Sequence, residues 1–487
     1  MLINLSNLYL IQNAARPNLL KEILFENPFV LPLLGTIAVV YILVLFNYLD
    51  KDRKLSYWLE RTIATAYIFL ISGGGSGISM NPFNRLFPGG LASSEASPTL
   101  KGILIAIYAL CLLLLAGRLR HSLKKYIYSI AILAQADPGL MIILFLNLFS
   151  ASWSQTPENT LSHSLVLIMI SLVAIYIGNQ FSWTEIHFML RWVAAFIIIL
   201  SLRNQGIGAD GNWTGILIHK NPFSFEMSQG VIWWLLQAFY QPEYRRRSLL
   251  FFTLCLFGLQ KGGSGASKVI IIILVGLWGY VGILKKLPVK WAFVSVVVFL
   301  ILGVNVTIWV SDNIQFIIVD KLNKDITLTG RTEFWPQIWE SILQNPMGFG
   351  TASYFQPERG ADNPAFALRT GTGFRPPNAH NGVLQMGTEI GFIGMGCFII
   401  SFFSNLSRAV IHLSQTEQPE ASIPLQLITY LIMTNLTESN FMGINSLWFL
   451  YIVMSTRFSI DIQGGMTKND KLRKQKLRES KAVLRSG

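Results

Sequence analysis

Charge is what this 487-residue sequence has least of: Asp, Glu, Lys and Arg together make 13% of it, about half the share usual in a soluble domain. That shortage excludes the chain of about three water-exposed domains that length alone would suggest. Acidic residues are the scarcer sign, 26 against 39 basic, for a formal charge of +13. Because 52% of the chain is hydrophobic, the basic excess does not point to nucleic acid. Cysteine is nearly absent. Cys111, Cys255 and Cys397 fall in separate apolar runs, which rules out a disulfide framework or a CxxC metal knuckle and leaves them as small core residues.

Familiar chemical signatures are missing too. The histidines show no HExxH or paired metal spacing, and the one DxD-like run, Asp50-Lys51-Asp52, sits among basic residues at a helix-end loop. Gly73 to Gly77 and Gly262-Gly263-Ser264-Gly265 lack the GxxxxGK[ST] pattern and read as span ends. Residues 1–28 lack a basic start, apolar core and small-residue cleavage site; an interfacial segment is expected there.

What the sequence does have is apolar runs long enough to cross a bilayer, about 20 residues each. They lie near 29–49, 59–78, 102–117, 127–151, 161–178, 186–202, 222–240, 248–260, 269–284, 291–310, 382–403, 424–436 and 441–459. An all-α, polytopic membrane protein with about 12–14 transmembrane helices is expected, since only helices satisfy the backbone within each span. The weakest runs are 59–78, which ends in a glycine-rich stretch, and 127–151, interrupted by Asp137-Pro138.

Cytoplasmic connections retain Lys and Arg. Lys51 to Lys54, Arg118 to Lys125, Arg245 to Arg247, Lys285-Lys286 and the tail from Lys468 to Arg485 share one face, which is taken as the cytoplasm. The expected layout is residues 1–28 as an N-terminal segment, 29–310 as a first group of spans, 311–380 as a long extracytoplasmic loop, 381–459 as C-terminal spans, and 460–487 as a basic cytoplasmic tail facing anionic lipid. A loop of that length between short connections marks function.

The outer face should be poor in cations, so those assigned to it are informative. They are Arg203, Lys220, Lys268, Arg331 and Arg375, with His380 beside Asn381; each lies near a span end or in the long loop. One histidine with several fixed cations suits removal of a sugar from a lipid pyrophosphate. Arg and Lys stabilise the departing charge, Arg with bidentate geometry. Histidine suits the base that activates a hydroxyl.

The run His380-Asn381, nine residues, Gly391, two residues, Gly394 resembles the HN-x9-G-x-x-G pattern of the O-antigen ligase and polymerase superfamily. Thr327 to Thr332, followed by Trp335, Trp339 and Asn345 to Gly350, resembles the segment preceding that histidine. Trp153-Ser154 with Pro157, Gly215 to Asn221, and Thr437 to Asn440 look like the exopolysaccharide polymerase branch. The resemblance implies a multi-pass glycosyltransferase of the bacterial inner membrane, with its active site on the extracytoplasmic side. Its donor would be an oligosaccharide on undecaprenyl pyrophosphate, its acceptor a glycan, and its chemistry would need neither metal nor cofactor.

Carried over by motif, His380 would be the base and Arg331 a pyrophosphate ligand, joined by Lys268, which stands where relatives often carry Arg. Lys220, Asn221, Arg203, Arg375, Asn381 and Glu438 complete the expected substrate site. Flippase and chain-length proteins would be partners; nucleic acid would not.

Plainer readings stand beside these. His380 and Asn381 could cap a helix where the loop enters it. Arg331 could pair with Glu333, and Lys220 could snorkel at a span end. Glu389 reads as a structural polar residue within a span. Glu438 could contact sugar hydroxyls or neutralise an Arg. Trp335, Trp339, Tyr354, Phe355 and Phe374 could stack on sugars or pack on protein and lipid. Polymerisation of repeat units is the first functional reading. Ligation to lipid A core is the second, and a lipid-linked sugar flippase is a third, disfavoured because charges gather at span ends rather than at the bilayer centre.

Overall fold

The structure is a computed structural model. It describes residues 53–72, 126–203, 206–208, 210–217, 219–284, 286–288, 331–369, 373, 375–415, 419–436 and 438–463, with isolated positions at 291, 294 and 298. At Arg331 and Thr332, among others, only the backbone is described. The expected spans 29–49 and 102–117, most of 291–310, Asp50 to Asp52, Gly73 to Gly77, Cys111, Phe374, Thr437 and the basic tail lie outside the described residues. The chain divides into two compact units. Only 53–62 of the smaller unit is described, the first half of helix α1 (Arg53–Ile71), and everything below concerns the larger.

Among the described residues the fold is helical, with one isolated β-bridge between Ile207 and Trp213. The helices are α2 (Tyr126–Ala136), α3 (Pro138–Phe149), α4 (Pro157–Gln180), α5 (Trp183–Arg203), α6 (Lys220–Tyr240), α7 (Arg245–Gly262), α8 (Gly265–Leu284), α9 (Arg331–Gln344), α10 (Gly382–Gln415), α11 (Ile423–Asn435) and α12 (446–463). Four of these, Pro157–Gln180, Trp183–Arg203, Gly265–Leu284 and Gly382–Leu413, are long and apolar enough to cross a membrane. The chain is an all-α membrane protein, as expected.

Two expected spans are broken rather than continuous. In 127–151, α2 and α3 meet at 106°. Pro138 opens α3, and Asp137 caps it by accepting the Leu140 N–H at 3.1 Å. The second carboxylate oxygen of Asp137 accepts from Ser401 (2.8 Å), Asn405 (2.7 Å) and Ser455 (2.6 Å). A buried carboxylate is tolerated there because these donors, from α10 and α12, meet it.

The second break, at Gly391, interrupts α10 with φ 64° and ψ −162°. The freed carbonyls of Thr388 and Glu389 accept from Phe349 N–H (2.8 Å) and Gly350 N–H (2.9 Å), and Phe392 N–H donates to the Pro346 carbonyl at 2.9 Å. Segment 345–350 thus lies in the notch of the helix. A Cβ at Gly391 would run into the Pro346 carbonyl, so glycine is needed for both its φ and the space. In the apolar run 382–403 Gly391 is one of five glycines, and the pattern that pairs it with Gly394 does not say that the helix breaks there.

Alternating helix directions bring many termini together at one end of the bundle. Ser201, near the end of α5, accepts from Ile216 N–H at 3.1 Å. Trp213 N–H reaches the Lys261 carbonyl near the end of α7 at 3.0 Å. Gly262 packs on Phe223 and Ser224 in the first turns of α6. Asn147 in α3 bonds to Thr351 (2.7 Å) and to the sulfur of Met442 (3.3 Å). The opposite end carries Arg457, whose guanidinium bonds to Asp461 at 2.5 Å, and Trp183, whose indole also reaches Asp461 at 3.0 Å.

Candidate active site

His380 sits at the first of these ends, on the residue pair that leads into α10. Its φ of 45° is the left-handed conformation that costs a non-glycine residue energy unless its surroundings impose it. Here they do. The Trp335 indole donates to the Ala379 carbonyl at 2.9 Å, and Ala379 N–H donates to Gln385 Oε1 at 3.0 Å. His380 N–H donates to Asn378 Oδ1 at 2.9 Å. Gln385 is itself held by Glu389, its Nε2 donating at 2.8 Å. The intramembrane carboxylate thus supports the turn before His380 through one intermediary, a link that was not evident in the sequence.

Asn381 caps α10, its Oδ1 accepting from Val383 (3.0 Å) and Leu384 (3.2 Å) N–H groups. Capping is thus the work of Asn381, and the imidazole of His380 turns elsewhere. His380 Nδ1 lies 3.4 Å from Glu438 Oε2, while Glu438 Oε1 accepts from Asn221 Nδ2 at 3.1 Å. One carboxylate bridges a histidine from the start of α10 and an amide from the first turn of α6. The His380 and Glu438 side chains are 23% and 20% exposed, so both remain reachable by a solute.

The loop carrying Glu438 is fixed against α10. Asn435 Oδ1 accepts from Asn440 (2.8 Å) and Phe441 (3.0 Å) N–H groups. Gly382 lies against the same amide, where a Cβ would collide with it. Ser439 Oγ accepts from Asn381 N–H at 3.2 Å. Residues 438–440 and the His380-Asn381 pair, matched separately in the sequence, are one hydrogen-bonded unit.

The expected cations divide. Lys220 opens α6, after His219, whose Nδ1 accepts from Asn221 N–H at 3.2 Å and caps the helix. The Lys220 ammonium forms an ion pair with Asp210, a residue the sequence did not single out. That hydrogen bond, followed by those from Asn212, holds the Asp210 carboxyl below the usual carboxylate range. Lys268 is half-buried in the first turn of α8, beside the buried Ser267 hydroxyl. Arg203 is exposed at the end of α5. Arg375 is exposed and lies over the Phe366 ring at 3.9 Å. Arg331 begins α9, and its side chain lies outside the described set.

The expected sugar-stacking aromatics divide as well. Tyr354 is buried, its hydroxyl bonded to Ser341 at 2.8 Å, and burial raises its pKa. It packs in a core with Phe334, Ile338 and Ile342, against which Trp335 and Phe355 lie half-buried. Trp339 is 41% exposed and meets Phe392 edge-on. Among the described residues no three His, Cys, Asp or Glu side chains lie together as metal ligands would.

No curated protein matches the chain. A family model described as O-antigen ligase matches residues 248–399, a stretch that holds Lys268, Arg331, His380 and Gly391 but leaves Asn221 and Glu438 outside. That match covers residues 248–399 of the 487 and supports, over that stretch, the likeness to the O-antigen ligase and polymerase superfamily.

Proposed function

We propose that this membrane glycosyltransferase joins oligosaccharide repeat units carried on undecaprenyl pyrophosphate into an exopolysaccharide or O-antigen chain, on the outer side of the plasma membrane. The observation that carries the reading is the Asn221, Glu438 and His380 chain of contacts. It unites two stretches that resemble the polymerase branch, those of Glu438 and of Asn221, next to Lys220 in the sequence, with the histidine of the superfamily pattern.

With Nδ1 donating to Glu438, the imidazole keeps the Nε2 lone pair for a proton. His380 Nε2 takes the proton of the acceptor hydroxyl as its oxygen attacks the anomeric carbon. The bond from that carbon to the pyrophosphate oxygen breaks, and undecaprenyl pyrophosphate leaves with the electron pair. Attack opposite the leaving group inverts the centre. Arg331, Lys268 and Lys220 oppose the charge developing on the pyrophosphate. Arg203, Arg375 and Asn381 line the approach. On this reading no metal is required, and flippase and chain-length proteins act before and beside the enzyme.

His380→Ala is expected to abolish chain growth while the protein still accumulates in the membrane. Substantial polymer in that strain would overturn the reading. Ligation to lipid A core is the second reading, favoured by the description of the matched family. Lipid-linked single repeat units accumulating in a deletion strain support the polymerase, and lipid-linked polymer supports the ligase.

A further inference from the structure

Lys220, one of the cations assigned to the donor pyrophosphate, is already occupied. Its partner Asp210 stands on a tight turn, in which Gly211 N–H donates to the Gly208 carbonyl at 3.0 Å and Gly208 N–H to the Asn212 carbonyl at 2.9 Å. The turn is fastened at its base by Thr214 N–H to the Gly206 carbonyl at 2.6 Å, and beside it by Trp213 N–H to the Lys261 carbonyl. Asn212 orients the carboxylate itself, through its N–H (3.2 Å) and its Nδ2 (2.8 Å). Asp210 is therefore presented to Lys220 by a built turn rather than meeting it from a wandering loop.

The pair is also open to exchange. The Lys220 and Asp210 side chains are 32% and 43% exposed, and an ion pair so exposed is held weakly. A pyrophosphate carries more than one negative charge and offers several acceptor oxygens, so it competes well against one carboxylate for an ammonium. Lys220 adjoins Asn221, whose amide holds Glu438 and through it His380.

We propose that Asp210 is an internal counter-ion that fills the Lys220 anion site in the empty enzyme, and that the lipid pyrophosphate must displace it to bind. The carboxylate keeps the ammonium in place between turnovers. By competing for it, the same carboxylate loosens the spent carrier and speeds its exit. This inference rests on the functional reading above through Lys220.

The test titrates undecaprenyl pyrophosphate onto the purified full chain in detergent micelles, comparing the native protein with D210N, D210E, K220A and the D210N/K220A pair. D210N should bind about two- to five-fold more tightly, the range expected when one weak competing ion pair is removed. D210E should stay near the native value, since it keeps the charge. K220A should bind more weakly, and in its background D210N should change nothing. D210N binding no tighter than the native protein, while K220A still weakens binding, overturns the counter-ion and leaves Lys220 as a ligand. K220A binding as tightly as the native protein overturns the counter-ion and removes Lys220 from the functional reading. D210N tightening binding equally with and without Lys220 also overturns it, by showing only a general effect of net charge.

Discussion

The indole N–H of Trp335 donates to the carbonyl of Ala379 at 2.9 Å, tying α9 to the residue that precedes His380. The bond spans 44 positions of sequence and helps hold the left-handed turn that aims the imidazole. Trp335→Phe keeps most of the packing and removes the donor, leaving the carbonyl without this partner at a cost of about 1–3 kcal/mol. Turnover should fall more than donor affinity changes, because the base is mis-aimed while the cations stay. Unchanged turnover in detergent-purified protein would show that this tether does not position His380.

Glu438→Gln should lower turnover, and Glu438→Asp should restore part of it. The glutamine retains an oxygen for Asn221 but withdraws the carboxylate from His380 Nδ1, so the ring loses the partner that selects its tautomer. Asn221→Ala should show a smaller loss with the same affinity for donor, since it acts one step further from the ring. Equal turnover in the Gln and native proteins would separate Glu438 from the proton transfer.

Gly391→Ala should prevent accumulation of folded protein, while Gly396→Ala in the same helix should be tolerated. A Cβ at 391 meets the Pro346 carbonyl and must also adopt φ 64°; at 396 nothing lies within 4 Å. Fluorescence-detected size-exclusion profiles of the two variants would check the contrast. Similar profiles for both would argue against the notch.

Asp137→Ala leaves Ser401, Asn405 and Ser455 without their common acceptor, at a cost on the order of 2 kcal/mol or more. The residue lies one length of α3, about 18 Å at 1.5 Å per residue, from the end that carries His380. Lower thermal stability in detergent with turnover retained at low temperature is the expected pair of results. Lost turnover in protein of native stability would instead give Asp137 a part in the chemistry.

The affinity gain of D210N should be flat between about pH 8 and pH 5. Lys220 holds the Asp210 carboxyl below the usual carboxylate range. A depressed acid keeps its contribution above its unfolded pKa and loses it only as pH falls through the lowered value. Across that window Asp210 stays ionised and goes on competing. Titrations at several pH values would check this, and a gain that fades well above pH 4 would contradict it.

Much of this was legible in advance, and what escaped shares a physical cause. Runs such as 161–178 and 186–202 emerge as α4 and α5 because a bilayer imposes one pattern, local in sequence. The cap formed by Asn381 is local too. The partners of His380 are not. Glu438 lies 58 residues away, and no periodicity says which carboxylate will face which imidazole. Asp210 is ten residues from Lys220, yet it sits in an irregular turn whose path depends on Lys261 and Ser201. The Gly391 break escaped because its evidence is the Pro346 carbonyl filling the notch, a contact made by the long loop rather than by the helix itself.

That notch sets a rule for building chimeras of these enzymes. If the long loop were exchanged between relatives, a natural cut would fall just before His380. Such a cut parts residues 345–350 from Thr388, Glu389 and Phe392, whose main-chain groups they complete. A transplanted loop would have to rebuild the same three bonds on a foreign helix. The exchangeable module therefore runs from α9 to beyond Phe392, and the histidine travels with its loop.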